Sequence, residues 1–226
     1  MPRQPTPEER AQHDADVAAR FALLPTSINA PTRENTAICL PCADYRIDMG
    51  CMQGLLASVP QWSGFFQLPG CSHVNLARNL LVNGFLSAPY EWCVMIDSDI
   101  GFIAQDFGYL MEGMSNNPYP EFAANGVYAL KDDSGEVVHQ GLGFARVHRS
   151  VFEVLAKTLC MTAEHRGSQI VDFFPSGSLG MGKWMGEDAC FWLLCAEIGV
   201  RPRIEKRVRL QHAGRAVYTA NELENL

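Results

Sequence analysis

The stretch CVMIDSDIGF, residues 93–102, limits what this chain can fold into more than any other. All five residues before Asp97 are apolar, the pattern of a strand buried on both faces. Two carboxylates, Asp97 and Asp99, follow with only Ser98 between them. Acids at the mouth of a core strand repel each other and resist desolvation, so the fold has to bring a cation to them.

Helical and extended segments alternate on both sides of this strand. Residues 7–24 read as an amphipathic helix starting near Pro7, the main part of an N-terminal helical appendage over residues 1–30. TAICLP (36–41) reads as a buried strand, followed by the polar loop CADYRID and a helix over 48–58 that stops before Pro60. GFFQLPG is a short strand, and SHVNLARNLLVNGFLSAP a helix capped by Ser72 or Asn75. After the strand YEWCVMID come the helix QDFGYLMEGM and the strand EFAANGVYAL, and KDDSGEVVHQ carries hairpin chemistry around Asp133 to Gly135. GLGFARVHR is a further strand, and Ser150 is expected to cap the helix VFEVLAKTL. MTAEHRGSQI reads as a polar connector ahead of the strand VDFFP. SGSLGMGKWMG, glycine-rich, reads as a flexible lid, EDACFWLLCAEIG as a helix ending at Gly199, and RPRIEKRVRLQH as a strand-rich tail. The expected class is α/β, with a mainly parallel, mixed central sheet flanked by helices and a single domain over residues 31–226. Ligands on such sheets lie at the carboxyl ends of strands, where Asp97 falls.

Composition narrows the function classes. With 47% hydrophobic and 19% charged residues, the chain can bury a full core. A formal net charge of -7 disfavours a general nucleic-acid or anionic-membrane binder. No apolar stretch approaches the roughly 20 residues of a membrane span. The N-terminus lacks the charged-then-apolar layout of a signal peptide, so a cytoplasmic protein is expected. Several of the eight cysteines lie in apolar runs and read as small core residues, and Cys39-x-x-Cys42 has no second pair at zinc spacing.

Three motif readings fail on chemistry. A calcium loop starting at Asp97 would place Gly101, Phe102 and Gly108 where an oxygen ligand, a glycine and a glutamate are required. Gly177 to Lys183 matches a phosphate-loop spacing, but Trp184 follows where a magnesium-holding hydroxyl is needed. GLGFAR lacks the third glycine of a dinucleotide fingerprint.

The acid pair remains, and around it the chain resembles a known family. Residues 36–215 are similar to GT-A-fold (Rossmann-like) glycosyltransferases, near the family-2-like group. The resemblance rests on six pieces in order: AICLPCADYR, NLARNLLVNGFL, MIDSDIGF, GLGFARVHRSVFEVL, GEDACFWLLCAEIG and VRLQHAG. It implies metal-dependent transfer of a hexosyl or related sugar from a nucleoside-diphosphate sugar to an acceptor hydroxyl, with Mn²⁺ or Mg²⁺ as cofactor. The metal set it implies is Asp99, Asp97 and His212, with Asp97 also near the ribose. Hard cations favour such oxygen ligands, and neutral imidazole suits manganese. Asp188, in the acid pair with Glu187, is the implied catalytic base, or a substrate-positioning acid if configuration is retained. Asp44, Arg46, Arg78, Asn79, Lys131 and Trp184 are the implied donor contacts, with Trp184 carried by a lid over 175–186.

Six of the 18 Lys and Arg residues lie in 201–215: Arg201, Arg203, Lys206, Arg207, Arg209 and Arg215. Arg146, His148 and Arg149 are candidate additions to that basic segment. The segment reads either as a footprint for a polyanionic acceptor, modified DNA or an anionic glycan, or as donor-binding and solvated charge. Two other classes compete: a metal-dependent nucleotidyltransferase, and a non-catalytic nucleotide-sugar-binding protein. The first normally carries a glycine-rich loop after the first strand, and CLPCADYR holds no glycine.

Overall fold

A computed structural model of the chain describes residues 4–113, 120–129, 137–138, 141–177, 184–214 and 217–219. It begins with α1 (Pro7–Phe21), whose first turn is locked by reciprocal hydrogen bonds. The Glu9 amide donates to Thr6 Oγ1 at 3.2 Å, and the Thr6 amide donates to Glu9 Oε2 at 2.7 Å. The helix stops short of the expected residue 24 and buries none of its residues. Arg20 fastens it to the rest of the chain by donating to the Glu197 carbonyl at 3.1 Å.

The next elements are β1 (Thr36–Cys42), α2 (Met49–Ser58) with a 3₁₀ turn at Val59–Gln61, β2 (Gly64–Pro69), α3 (Val74–Leu86) and β3 (Trp92–Ile96). A short β4 (Ile100–Gly101), α4 (Ala104–Met111), β5 (Ala123–Gly126), β6 (Tyr128–Ala129) and β7 (Val137–Val138) follow. The later part comprises β8 (Phe144–His148), α5 (Arg149–Thr158), β9 (Met161–His165), β10 (Ser168–Asp172) and α6 (Glu187–Glu197). It closes with β11 (Arg203–Glu205), β12 (Gln211–Ala213) and β13 (Val217–Thr219).

The central sheet has six strands in the order β11-β5-β8-β3-β1-β2. Only β8 runs antiparallel to its neighbours, β3 and β5, so the sheet is mostly parallel. This is the mixed α/β class expected from the sequence. Every residue of β1 and β3 is buried, as their continuous apolar runs require when both faces are covered. One face packs Phe85, Phe152, Phe173, Phe174 and Phe191 beneath α3, α5 and α6. The other packs Ile38, Leu40, Leu55, Phe102 and Phe107 beneath α2 and α4.

Four local expectations are corrected. The α3 N-cap is His73, without a side-chain cap, and Asn75 instead accepts from the next amide, Leu76, at 2.9 Å. The expected strand EFAANGVYAL breaks at Val127 into β5 and β6. MTAEHRGSQI is not a connector but most of a hairpin, β9 paired antiparallel with β10. Its two-residue turn puts Arg166 at φ 51° and Gly167 at φ 80°, the left-handed pair whose twist suits a tight hairpin. The Asn83 amide holds β10 as a neighbouring strand would, donating to the Val171 carbonyl and accepting from its amide, both at 3.1 Å. The hairpin turn expected at 133–135 lies outside the described residues, although β6 and β7 pair antiparallel on either side of it.

The fourth correction concerns α5. Its cap is His148 rather than Ser150: the imidazole Nδ1 accepts from the Ser150 amide at 3.2 Å. That role needs a neutral ring. Burial does most to lower the His148 pKa, from 6.5 to about 4, with Glu91 opposing and Arg149 assisting. The unfolded chain therefore takes up a proton at a pH where the folded chain refuses it. Stability contributed by this residue is complete above pH 6.5 and is lost as pH falls toward about 4. Urea unfolding at neutral and mildly acidic pH is expected to show this loss, reduced in His148→Asn, which keeps a capping acceptor without the titration. Equal losses in both proteins would contradict the assignment.

Candidate active site

The chain leaves β1 toward β2 on one side and returns through α3 to place β3 on the other. The carboxyl ends of β1 and β3 thus flank a switch point, where α/β sheets open a crevice. A cleft of about 570 Å³ lies there, lined in part by Asp44, Arg46, Asp48, Ser98, Asp99 and Gly214. Asp44 and Arg46 come from the loop after β1, and Asp44 Oδ1 accepts from the Arg46 amide at 3.2 Å. Asp48 and Ser98 line the cleft without having been singled out in the sequence. An aspartate just before a helix was the available signal for Asp48, which caps α2 by accepting from the Gly50 amide at 2.8 Å.

The turn from Asp97 to Asp99 is held by backbone bonds from three other segments. The Asp97 amide donates to Gly143 O at 3.0 Å, Asp48 donates to Ser98 O at 2.8 Å, and Ala213 donates to Asp99 O at 2.8 Å. The turn closes on itself through the Ile100 amide to Asp97 O at 3.1 Å. Beyond it, β4 pairs with β12, matching Ile100 to His212 and Gly101 to Gln211. The pairing sets His212 Nε2 3.8 Å from Asp99 Oδ1. Close approach favours glycine here: a Cβ on Gly50 would stand 3.2 Å from Gly101 Cα, a tight contact.

The two acids of the strand end have different cationic neighbours. Arg78, from α3, is 2% exposed and donates through Nη2 to both Asp97 oxygens, at 2.8 and 2.9 Å. Through Nη1 the same guanidinium donates to Glu187 Oε1 at 2.5 Å. One buried cation thus ties Asp97, at the end of β3, to the first residue of α6 by charge-assisted bonds. Asp188, next on α6, accepts from the Ala189 amide at 2.7 Å, at the helix end where the dipole favours a carboxylate.

The remaining candidates fall elsewhere. Asn79 is buried inside the fold, donating to Asp172 Oδ1 at 2.6 Å and accepting from the Phe173 amide at 2.8 Å. Its amide fastens α3 to the end of β10 rather than facing the cleft. Trp184 is 79% exposed and is absent from the cleft lining among the described residues. Lys131 and residues 178–183 of the expected lid lie outside the described residues, while Gly177 and Met185 form an antiparallel bridge at the base of that loop.

The basic segment is mostly committed to internal pairing. Arg203 donates to Glu121 Oε2 at 2.9 Å and also pairs with Glu205. Arg207 donates to Glu205 Oε1 at 2.8 Å and to Glu112 Oε2 at 2.7 Å, with its guanidinium 4.4 Å from the Tyr109 ring centre. Burial alone would raise the Glu205 carboxyl, but hydrogen bonds from Arg207 and Arg203 outweigh it and hold the pKa at about 2. Arg209 donates to the Lys206 and Val208 carbonyls, both at 3.1 Å. The suggested additions are also inward: Arg146 is 1% exposed and His148 8%, while Arg149 donates to the Leu86 carbonyl at 2.9 Å beyond the core of α3. Arg146, His148 and Arg149 therefore add nothing to a basic face. Arg215 lies outside the described residues.

Among the described residues, no group of three or more His, Cys, Asp and Glu side chains is arranged to hold a metal ion. A two-residue pair is present instead, the Asp99 carboxylate and the His212 imidazole, with Asp99 on the cleft wall. The pair offers one carboxylate and one imidazole, two of the donors that a divalent ion would need.

No protein-family model matches the chain, and no curated protein matches it. Among solved structures the chain is similar to the crystal structure of A197 from STIV, at 17% identity and a TM-score of 0.54, over 83% of this chain and 95% of that one. At such identity the likeness concerns the α/β fold alone. No helix among the described residues is long and apolar enough to cross a membrane.

Proposed function

We propose that this protein is a metal-dependent glycosyltransferase of the GT-A type, transferring a sugar from a nucleoside-diphosphate sugar to an acceptor hydroxyl. The observation that supports the reading is convergence around the carboxyl end of β3, where Asp44, Arg46 and Asp99 line the cleft and the other groups pair with the acids of the Asp97–Asp99 turn. Asp44 and Arg46, Asp99 with His212, and Arg78 linking Asp97 to Glu187 come from five separated segments of the chain. Asp44 and Arg46 recognise the nucleoside. Asp99 and His212 would hold the Mn²⁺ or Mg²⁺ ion. The ion, when bound, acts as a Lewis acid that stabilises charge on the departing diphosphate. Arg78 fixes Asp97 and Glu187 and so positions the start of α6. In inverting transfer, the acceptor oxygen bonds to the anomeric carbon as the bond from that carbon to the diphosphate oxygen breaks. The electron pair leaves with the diphosphate, and the hydroxyl proton passes to the Asp188 carboxylate.

Asp188→Asn is expected to lower sugar transfer by about 10²- to 10⁴-fold while nucleoside-diphosphate binding persists. Transfer and donor hydrolysis measured side by side on a panel of donors check this. Unchanged transfer would remove Asp188 from the role of base.

A further inference from the structure

A hollow of about 250 Å³, separate from the cleft, lies between the C-terminal half of α6 and the edge strand β11. Trp192, Leu193 and Ala196 line it from α6, and Val200, Pro202 and Ile204 from the segment that enters β11. Alternation divides that segment: Pro202 and Ile204 face the hollow, while Arg203 and Glu205 are paired with each other. Trp192 is a fixed wall, with Nε1 donating to the Gly141 carbonyl at 3.4 Å and its ring centre 4.9 Å from that of Phe191. Leu193, Ala196, Pro202 and Ile204 are only half-buried, so apolar surface stays open in the hollow. Arg201 is the one charged side chain on this lining. It is exposed, and among the described residues no carboxylate pairs with it, whereas Arg203 and Arg207 are held by acids.

We propose that this hollow binds a small monocarboxylate with an apolar body, the carboxylate on Arg201 and the body against Trp192, Leu193 and Ile204. Apolar walls with one or two polar groups that fix orientation are the usual make-up of a small-molecule site. A guanidinium presents a planar fork that matches a carboxylate through two parallel bonds. One cation balances one negative charge. A diphosphate or a polyanion would leave further charge uncompensated against apolar walls, which is costly. A neutral molecule would forgo the charge-assisted bonds. The volume, about 250 Å³, falls below the roughly 300 Å³ at which drug-sized sites begin, so the body is one ring or a short chain. Trp192 is already held in place by its hydrogen bond, so binding does not have to order it.

The site stands apart from the chemistry proposed for the cleft, and its test needs no metal, nucleotide or sugar. Backbone bonds nonetheless join the two places. Gly141, which accepts from Trp192, lies two residues before Gly143, whose carbonyl accepts from the Asp97 amide at 3.0 Å. An occupant of the hollow rests on a wall bonded to the segment that holds the Asp97 turn.

Calorimetric titration of the full chain with phenylacetate, hexanoate, the neutral isostere phenylacetamide and a peptide ending in a free leucine carboxylate tests the proposal. Saturable binding of phenylacetate or hexanoate is expected, with phenylacetamide at least about tenfold weaker than phenylacetate. Arg201→Gln is expected to weaken carboxylate binding at least about tenfold, with its unfolding midpoint preserved because the side chain is exposed. Ala196→Leu narrows the hollow, leaves Arg201 in place and is expected to weaken binding as well. Arg209→Gln, at an exposed cation outside the lining, is expected to change nothing. No saturable binding of either carboxylate up to about 10 mM, equal affinity for phenylacetate and phenylacetamide, or affinity unchanged by Arg201→Gln would each overturn the proposal. So would equal losses in Arg201→Gln and Arg209→Gln, which would mean unspecific charge attraction. Binding confined to the leucine-ending peptide would also overturn it and assign the hollow to a chain terminus.

Discussion

Replacing Arg78 with methionine is expected to destabilise the fold by about 3 kcal/mol, the largest loss from any single change near the cleft. The guanidinium is 3% exposed and is the cation between Asp97 and Glu187, whose side chains are 23% and 18% exposed. Removing one member of a buried ion cluster leaves the others desolvated and facing like charge. Methionine fills comparable volume, so a cavity contributes little and the electrostatic loss dominates. Arg78→Lys is expected to recover only part of the stability, because one ammonium cannot hold Asp97 through two oxygens and still reach Glu187. Converting both acids to amides in the Arg78→Met background should restore stability further. Urea midpoints for the four proteins check this series. A loss under about 0.5 kcal/mol in Arg78→Met would mean that the pairs contribute no more than exposed surface bridges.

The second large effect concerns ligand binding rather than folding. Asp99→Asn and His212→Ala are each expected to weaken metal-dependent nucleoside-diphosphate binding at least about tenfold, while metal-free stability changes little. Asp99 is 34% exposed and lines the cleft, and the His212 imidazole, 14% exposed, lies 3.8 Å from its carboxylate. Neither side chain builds the core. An amide at Asp99 keeps the shape but loses the charge that a hard cation seeks. The double variant should be no worse than the poorer single one, since both act through one ion. Fluorescence or calorimetric titration with Mn²⁺ and a nucleoside diphosphate measures this. Unchanged affinity in both variants would separate the pair from the ligand.

The buried strands and the helix of the Glu187–Asp188 pair were legible because their signal is local. WCVMI and AICL are apolar without interruption, and that pattern belongs to strands covered on both faces. Arg78 and Asn79 were visible as polar residues of a helix, but their use was not. Their partners Asp97, Glu187 and Asp172 lie 19, 109 and 93 residues away, and only the folded sheet brings them close. His212 reaches Asp99 through a pairing two residues long, too short for periodicity to register. The first strand of the β9–β10 hairpin was not legible because nearly all of it is exposed, so no alternation of apolar residues marks it. The cluster of cations in 201–215 read as a charged face for the same reason in reverse. Its neutralising acids Glu112 and Glu121 are remote in sequence.

The central claim is that the cleft binds a nucleoside diphosphate through a divalent ion held by Asp99 and His212. Thermal unfolding of the unaltered protein with Mn²⁺ alone, nucleoside diphosphate alone, both together, and neither tests it most directly. The account predicts stabilisation by the nucleotide only when the metal is present, approaching about 2.7 kcal/mol at a hundredfold excess over the dissociation constant. Stabilisation of the same size without metal, or none with any nucleoside diphosphate and either ion, would contradict it.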